Sequence, residues 1–288
     1  MKLSVALRAC SAGGLMPLSV ARVAGMPSHR LASPLVRQCP FIPVGTGLYD
    51  ANDVELLRVT GRCWLPADDG GHRVAGDDRG RNHAHRNGEG EVPRRDDGGH
   101  ALQCLMTRAL VDLPVGEISL ETRRTGRALA WVTLSDKGSQ GMRDDTSGPA
   151  MAALVADTLP LCHSQGFLLP DDAVQLRALL VDLALNQGYD VICTSGGTGV
   201  GPRDISPQVT SAVLDYPLPG FSMAMMQASL AKTPHAAISR AVAGVLGQSI
   251  IINLPGSRKA VVENLEAVLP ALPHALDKLH GDPADCGG

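Results

Sequence analysis

Apolar and polar positions fall into a regular period only from Arg127 onward. Residues 128–134 (Ala-Leu-Ala-Trp-Val-Thr-Leu), 191–194 (Val-Ile-Cys-Thr) and 249–254 (Ser-Ile-Ile-Ile-Asn-Leu) are nearly unbroken apolar runs, as expected of strands buried on both faces. Residues 145–149 (Asp-Thr-Ser-Gly-Pro) supply a cap and an N1 proline for a helix running to about Thr158. Asp171 can cap the next helix, in which Leu176, Leu179, Leu180 and Leu183 recur at helical spacing until Gly188 stops it. Further helices are expected near residues 207–216, 221–230 and 234–243, and Pro255-Gly256-Ser257 opens a long terminal helix. Strands alternating with helices predict an α/β fold, a three-layer sandwich whose mostly parallel sheet is flanked by helices.

The first part of the chain has a different character. Between Pro66 and His100 it is mostly Gly, Asp, Arg, His and Asn. Such a segment cannot bury enough surface to offset its ordering entropy and is expected to be disordered. Residues 1–65 hold apolar residues without a sustained period, interrupted by Pro and Gly. Residues 1–105 are therefore expected to be a largely irregular, low-order N-terminal region that contributes nothing to fold or activity. Either a misassigned or out-of-frame start or a genuine disordered extension accounts for them. Ile118 and Leu120 alternate with polar neighbours, so residues 106–126 read as a short β-type preamble. The main domain is expected over 127–281, with 282–288 as a tail.

Composition excludes several classes. A net charge of −3 argues against a nucleic-acid partner. No run of about 18 apolar residues exists, so no membrane span is expected. Arg8, Ser11 and Gly13-Gly14 interrupt any apolar core of an export signal. The seven cysteines are scattered without a Cys-x-x-Cys pair, which fits a reducing cytoplasm. His83 and His85 lack partner ligands at zinc-site spacing and read as solvated side chains.

The chemistry concentrates in residues 194–207, Thr-Ser-Gly-Gly-Thr-Gly-Val-Gly-Pro-Arg-Asp-Ile-Ser-Pro. A strand feeds a glycine-rich loop, and Ser206 as N-cap with Pro207 as first helical residue would begin a helix. Glycines let backbone N–H groups approach an anion, and a helix N-terminus adds partial positive charge. Asp204 would repel a bare phosphate, so its presence calls for a divalent cation, Mg²⁺, between the two. The run lacks the Lys-[Ser/Thr] ending of a P-loop, and its glycines miss the dinucleotide spacing by one. In a parallel sheet, ligands bind beyond the carboxyl ends of the strands. There Ser135-Asp136, the glycine loop and Pro255-Gly256-Ser257 should meet.

Residues 134–141 (Leu-Ser-Asp-Lys-Gly-Ser-Gln-Gly), the glycine run, residues 253–259 (Asn-Leu-Pro-Gly-Ser-Arg-Lys) and residues 269–276 (Leu-Pro-Ala-Leu-Pro-His-Ala-Leu) together resemble the molybdopterin adenylyltransferases, including the G domain of gephyrin. The resemblance covers 127–281. It implies a cytoplasmic homotrimer that adenylylates molybdopterin with Mg·ATP, releases pyrophosphate and hands its product to a metal-insertion protein. It makes Asp171 and Asp204 the catalytic, Mg²⁺-binding acids. Ser135, Asp136, Thr194, Ser195, Gly196, Gly197, Thr198, Gly199, Pro255, Gly256 and Ser257 would bind substrate. Ile205 and Ser206 stand where the family has Val-Thr, and the methionines at 223, 225 and 226 read as helix core or subunit interface. Two alternatives stay open: a pterin-binding relative without catalysis, and a dinucleotide-dependent oxidoreductase.

Overall fold

The computed structural model describes residues 1–7, 9–18, 20–23, 41–66, 101–142 and 144–283. The chain divides into two compact units, Met1–Phe41 with Gly47–Arg123, and Ile42–Thr46 with Arg124–Gly288.

The first unit is a seven-stranded sheet made of β1 (Lys2–Leu7), β2 (Leu15–Leu18), β3 (Val20–Val23), β4 (Gly47–Tyr49), β5 (Glu55–Pro66), β6 (Ala101–Ala109) and β7 (Gly116–Arg123). The order is β2-β6-β5-β4-β7-β1-β3, every neighbouring pair being antiparallel. β2 and β3 are consecutive in sequence yet stand at opposite ends of that order. Adjacent strands lie about 4.8 Å apart, so a flat sheet would separate these ends far beyond the reach of one connecting residue. The sheet must therefore curl rather than lie flat. Leu3, Val5, Leu18, Leu48, Leu57, Leu105 and Leu120 fill its interior.

This sheet corrects the expectation of an irregular region over 1–105. Leu3, Val5 and Leu7 do alternate, but apolar Ala6 blurs the period. The longest pairing joins β5 to β6, which are far apart in sequence and leave no local signal. The polar tract at 67–100 and the last residues, 284–288, lie outside the described residues. The preamble at 106–126 is the end of β6 and β7, both integral to the sheet.

The second unit is a three-layer α/β sandwich. Its six-stranded sheet runs β11-β12-β13-β10-β8-β9, from β8 (Arg127–Leu134), β9 (Leu161–Leu169), β10 (Val191–Ser195), β11 (Tyr216–Pro217), β12 (Ala243–Leu246) and β13 (Ser249–Leu254). β9, β8, β10 and β13 are parallel, while β12 and β11 form an antiparallel edge. The three strands predicted from apolar runs are β8, β10 and β13 at the centre. β9, with exposed or half-buried residues throughout, and the short β11 and β12 carried no comparable run.

Helices cover both faces. α1 (Asp136–Ser139) is a single turn after β8. α2 (Ser147–Thr158), α5 (Pro219–Leu230), α6 (Arg258–Val268) and α7 (Leu272–Leu279) pack Met151, Val155, Met225, Val261, Leu265 and Leu276 against Leu129, Val191, Cys193, Ile250 and Ile252. α3 (Ala173–Val181) and α4 (Ser206–Val213) bring Leu176, Leu180 and Val209 to the other face, against Ala130, Val132, Ile192 and Ile251. Burial pushes the Cys193 thiol up to about 12, a core role. α3 continues as a π-helical turn over Asp182–Gln187 and ends, as expected, at Gly188, whose φ is +74°. The helix expected at 234–243 is a 3-10 turn over Pro234–Ile238, after which the chain enters β12. The long terminal helix is broken by a 3-10 turn at Leu269–Ala271 containing Pro270, so it becomes α6 and α7.

The segment Ile42–Thr46 belongs to this unit although it precedes most of the first. Ile42 and Val44 are buried, and Val44 packs with Ala128, Ala130 and Leu183. The Val44 N–H donates to the Gln187 carbonyl, and Arg124 Nε donates to the Val44 carbonyl.

Candidate functional site

β8 connects outward to β9, whereas β10 leads toward the opposite edge, so the two adjacent strands send their following loops in opposite directions. This is the switch point at which open α/β sheets bind ligands. The loops expected to converge there do. Gly196 has φ +103°, and a side chain on it would stand 2.6 Å from the Leu134 carbonyl oxygen. Gly256 packs in turn on the Gly196 backbone, at 3.4 Å from the position of a Cβ. The ends of β8, β10 and β13 therefore touch through glycine. Ser195 Oγ donates to the Pro255 carbonyl at 3.0 Å, and Ser147 Oγ at the start of α2 reaches the Gly256 carbonyl.

Within the glycine loop, Gly196 N–H is spent on the Leu254 carbonyl and Gly201 N–H on Asp204 Oδ2, 2.7 Å away. Among the described residues the N–H groups of Gly197, Thr198, Gly199 and Val200 donate to no protein acceptor. They form a cradle of unspent donors in front of the α4 N-terminus, the arrangement that suits a phosphate. Gly197 has φ +64°, and a Cβ there would meet Ser206 Oγ at 2.7 Å.

Arg240 holds the loop through its carbonyl groups. Its N–H donates to the Thr198 carbonyl, Nε to Gly199 and Nη2 to Asp204. It draws carbonyls aside so that the amides face outward. Its role left no sequence signal, since it lies far from the loop in the chain.

Several predicted residues serve as frame. Thr194 and Ser195 are fully buried. Asn253 Nδ2 donates to the hydroxyls of Thr194 and Thr210, both at 2.9 Å, which ties β13 to β10 and α4 beneath the loop. Ser206 does not cap α4 as predicted. Ile205 occupies the cap position, and the Ser206 hydroxyl donates to the Gly196 carbonyl at 2.6 Å, stitching the loop shut. Pro207 is accordingly the second helical residue. Ser135 Oγ accepts the Gly138 N–H and caps α1, while Ser257 Oγ accepts the Ala260 N–H and caps α6. Both can still donate their hydroxyl proton.

The acids separate into different roles. Asp145 accepts the Ser147 and Gly148 N–H groups and the Thr133 hydroxyl, so it organises the start of α2, but Thr146 holds the cap position and Pro149 is the third helical residue, not the first as expected. Asp172, not Asp171, caps α3, its Oδ1 accepting the Gln175 N–H at 2.9 Å. Asp171 makes no capping bond; its carboxylate accepts the backbone N–H of Asp136. Partial burial raises its pKa above the ordinary aspartate value; Asp136 and Asp204 push the same way, while Arg203 opposes them. Asp136 and Asp171 meet through a hydrogen bond, and Asp204 lies close enough to Asp171 to act on it electrostatically. Asp136 is engaged by Arg203, with Nη2 at 2.6 Å from Oδ2, and its Oδ1 also accepts the Asp171 N–H. Arg203 is a site residue that the motif-based reading passed over.

The donor set fits Mg²⁺. The described residues contain no group of three or more metal-ligating side chains, hence no all-protein cage. Mg²⁺ is commonly held by one or two carboxylates with substrate phosphates completing its shell. Asp171 and the remaining oxygen of Asp204 are the carboxylates that would hold it.

Comparison with known proteins agrees with this geometry. Residues 130–274 match the family described as a probable molybdopterin binding domain. The chain is 37% identical over 161 residues to gephyrin of Dictyostelium discoideum, covering 53% of this chain and 22% of that protein. It is 37% identical to the molybdopterin adenylyltransferase of Helicobacter pylori J99, covering 52% of this chain and 86% of that protein. A crystal structure of the molybdopterin biosynthesis enzyme MoaB from Thermus thermophilus superimposes with a TM-score of 0.50 at 43% identity, over 55% of this chain and 99% of that one. The chain thus spans about a fifth of the length of gephyrin, and the family match falls entirely in the second unit.

Proposed function

Because the chain belongs to the probable molybdopterin binding domain family, we propose that its second unit is a nucleotidyltransferase that moves the adenylyl group of Mg·ATP to molybdopterin. The products are adenylylated molybdopterin and pyrophosphate, an intermediate step of molybdenum cofactor synthesis. The observation that carries this reading is the meeting of the β8, β10 and β13 loops. It puts Asp204 against the glycine loop, whose free amides at Gly197, Thr198, Gly199 and Val200 suit a phosphate, with Asp171 close enough to Asp204 to feel its charge.

In the reaction a phosphate oxygen of molybdopterin attacks the α-phosphorus of ATP. The new P–O bond forms as the bond from the α-phosphorus to the bridging oxygen breaks, and pyrophosphate leaves with the electron pair. Two phosphorylated substrates must then share one pocket, so negative charge is the main obstacle. The amide cradle and the α4 N-terminus bind phosphate oxygens without a counter-charge of their own. Asp171 and Asp204 would hold Mg²⁺, which, when bound, neutralises charge on the phosphates as pyrophosphate departs. The Pro255–Ser257 turn, fixed by Ser195 and Ser147, bounds the pocket on the β13 side. Holding both reactants in one frame supplies a large part of the rate by orientation.

Assembly and place follow the same reading. Tyr216, Met223, Leu230 and Ile238 are exposed apolar residues around α5 and the edge strand, and they suit a homotrimer interface. Met225, in contrast, is buried core. No helix of the described residues is long and apolar enough to cross a membrane. A cytoplasmic enzyme handing its product to a metal-insertion protein accords with the reading. The test is pyrophosphate release from the full chain with molybdopterin and Mg·ATP. Turnover that requires all three components supports the proposal, and none under conditions where the H. pylori enzyme reacts removes it.

A further inference from the structure

Arg203 is two-thirds exposed, at the tip of the glycine loop, next to Asp204. Its guanidinium touches one partner among the described residues, Asp136, and reaches both carboxylate oxygens through Nη2 alone, at 2.7 and 2.6 Å. Nε and Nη1 are unspent. A guanidinium engaged through one of its nitrogens keeps most of its fork of donors for another anion.

Asp136 is equally unusual. Its Oδ1 accepts both Arg203 and the Asp171 N–H, so one carboxylate holds the cation against the segment carrying Asp171. Arg203, Asp136, Asp171 and Asp204 together carry a net charge of −2. That excess is what a divalent cation cancels, with Arg203 assigned to Asp136 and the other two acids left for the metal. Arg240 cannot serve as the phosphate cation, because its donors are spent on the Gly199 and Asp204 carbonyls and on Gln208.

From this we infer that Arg203 is a further substrate-binding residue, parked on Asp136 while the pocket is free of nucleotide and transferred to the triphosphate when Mg·ATP enters. Phosphate is the better partner for a bidentate guanidinium. An exposed Arg–Asp pair is worth little by itself, so exchanging it costs little. Asp136 then acts as a positioning residue: it keeps the cation at hand, and it limits affinity for anions when no metal has arrived.

The inference rests on the nucleotidyltransferase reading, and the two can fail separately. The probe is Mg·ATP with a methylene group in place of the oxygen between the α- and β-phosphorus, titrated into the full chain at saturating Mg²⁺. Arg203→Gln should weaken binding about tenfold, and Arg203→Lys should restore part of the loss, retaining charge without the planar fork. Asp136→Asn should tighten binding severalfold, because Arg203 is released. In the Arg203→Gln background, Asp136→Asn should change binding little. A purely structural ion pair would instead lower affinity from either side. Melting temperatures of all variants should stay near that of the unsubstituted chain, as expected for exposed side chains. Unchanged affinity in Arg203→Gln, or equal tightening by Asp136→Asn in both backgrounds, overturns the inference. A full chain that does not bind the analogue at all overturns the reading beneath it as well.

Discussion

Asp172 accepts the backbone N–H of Gln175 at 2.9 Å and so takes the capping role at α3, a role the neighbouring Asp171 does not share. Adjacent identical side chains thereby do different work. Asp171→Asn should lower pyrophosphate release at least about tenfold with little change in melting temperature, because an anionic metal ligand is lost while the amide oxygen of Asn can still accept the Asp136 N–H. Asp172→Ala should cost about 1 kcal/mol of stability while leaving turnover near normal. Asp172→Asn should be nearly silent in both, since Asn caps as well as Asp. Paired thermal melts and turnover assays check the contrast, and a catalytic loss larger in Asp172→Ala than in Asp171→Asn would reverse the assignment.

Asp204→Asn should lower turnover by a similar factor, through a different balance. The Gly201 N–H can still donate to the amide oxygen of Asn, so the loop should keep its shape. Asn loses the charge that metal binding needs. The Mg²⁺ concentration for half-maximal rate should rise in this variant, and raising Mg²⁺ should recover part of the activity. A Mg²⁺ titration of the rate measures both.

The raised pKa of Asp171 gives the pH profile a direction. Burial raises it first, then Asp136 raises it, Arg203 lowers it and Asp204 raises it again. Asp171 must be ionised to hold Mg²⁺, so activity should fall on the acid side at a pH above the ordinary aspartate value. Asp136→Asn removes a raising cause and should move that limb to lower pH. Arg203→Gln removes the lowering cause and should move it to higher pH. Because the folded state holds this proton more tightly, ionising Asp171 also costs stability as pH rises from the unfolded value through the folded one. The pH dependence of kcat/KM for the three proteins, at one fixed Mg²⁺ concentration well below saturation, is the measurement, because bound metal would itself hold the carboxylate ionised. Identical acid limbs would remove Asp171 from the rate profile.

The legible part of this chain is the part whose signals are local. β8, β10 and β13 appear as apolar runs because both their faces are covered, and the glycine loop follows from its own spacing. β9 was not legible, because its outer positions are exposed at the sheet edge and its pattern is mixed. The first unit was not legible because pairings such as Cys63 with Cys104 join segments separated by the polar tract. At the site, the sequence expects the loops after β8, β10 and β13 to meet, and they touch through Gly196 and Gly256. What it withholds are side-chain partners. Ser206 faces back to Gly196, Arg240 crosses from another connection, and Arg203 meets Asp136 across the switch point. None of these pairs has a characteristic spacing.

Gly196 tests the convergence of the loops. Its φ of +103° and the Leu134 carbonyl, 2.6 Å from where a Cβ would sit, both exclude a side chain. Gly196→Ala should destabilise the second unit by more than about 1 kcal/mol through backbone strain, and the displacement of β8 from β10 adds to that. Substrate binding should suffer even where the fold survives, since the amides of Gly197 and Thr198 are aimed from this point. Gly220→Ala is the control, because it has open space and no positive φ. Thermal melts with analogue titrations compare the two, and matching behaviour would count against the packed-loop geometry.

Ile42–Thr46 intrudes into the second unit from far upstream in the chain. Val44 is fully buried among Ala128, Ala130 and Leu183, and its backbone bonds to Gln187 and Arg124. Arg124 in turn pairs with Asp190, which is only 2% exposed and also accepts the Ala128 N–H at 2.6 Å. Arg124→Ala leaves Asp190 the Ala128 N–H and Arg127 at 3.7 Å, so it should destabilise by about 1.5–3 kcal/mol, the size of a lost hydrogen bond to a charged group. Val44→Ala should cost about 1–3 kcal/mol through lost apolar burial and the space left behind. A chain beginning at Met106 lacks the whole intrusion and should melt well below the full chain, contrary to the expectation that residues 1–105 contribute nothing to the fold. Adding a peptide of residues 40–48 to that shortened chain should recover part of the loss, because binding to the folded form alone raises apparent stability. Equal melting temperatures for the shortened and full chains would show that the intrusion is dispensable.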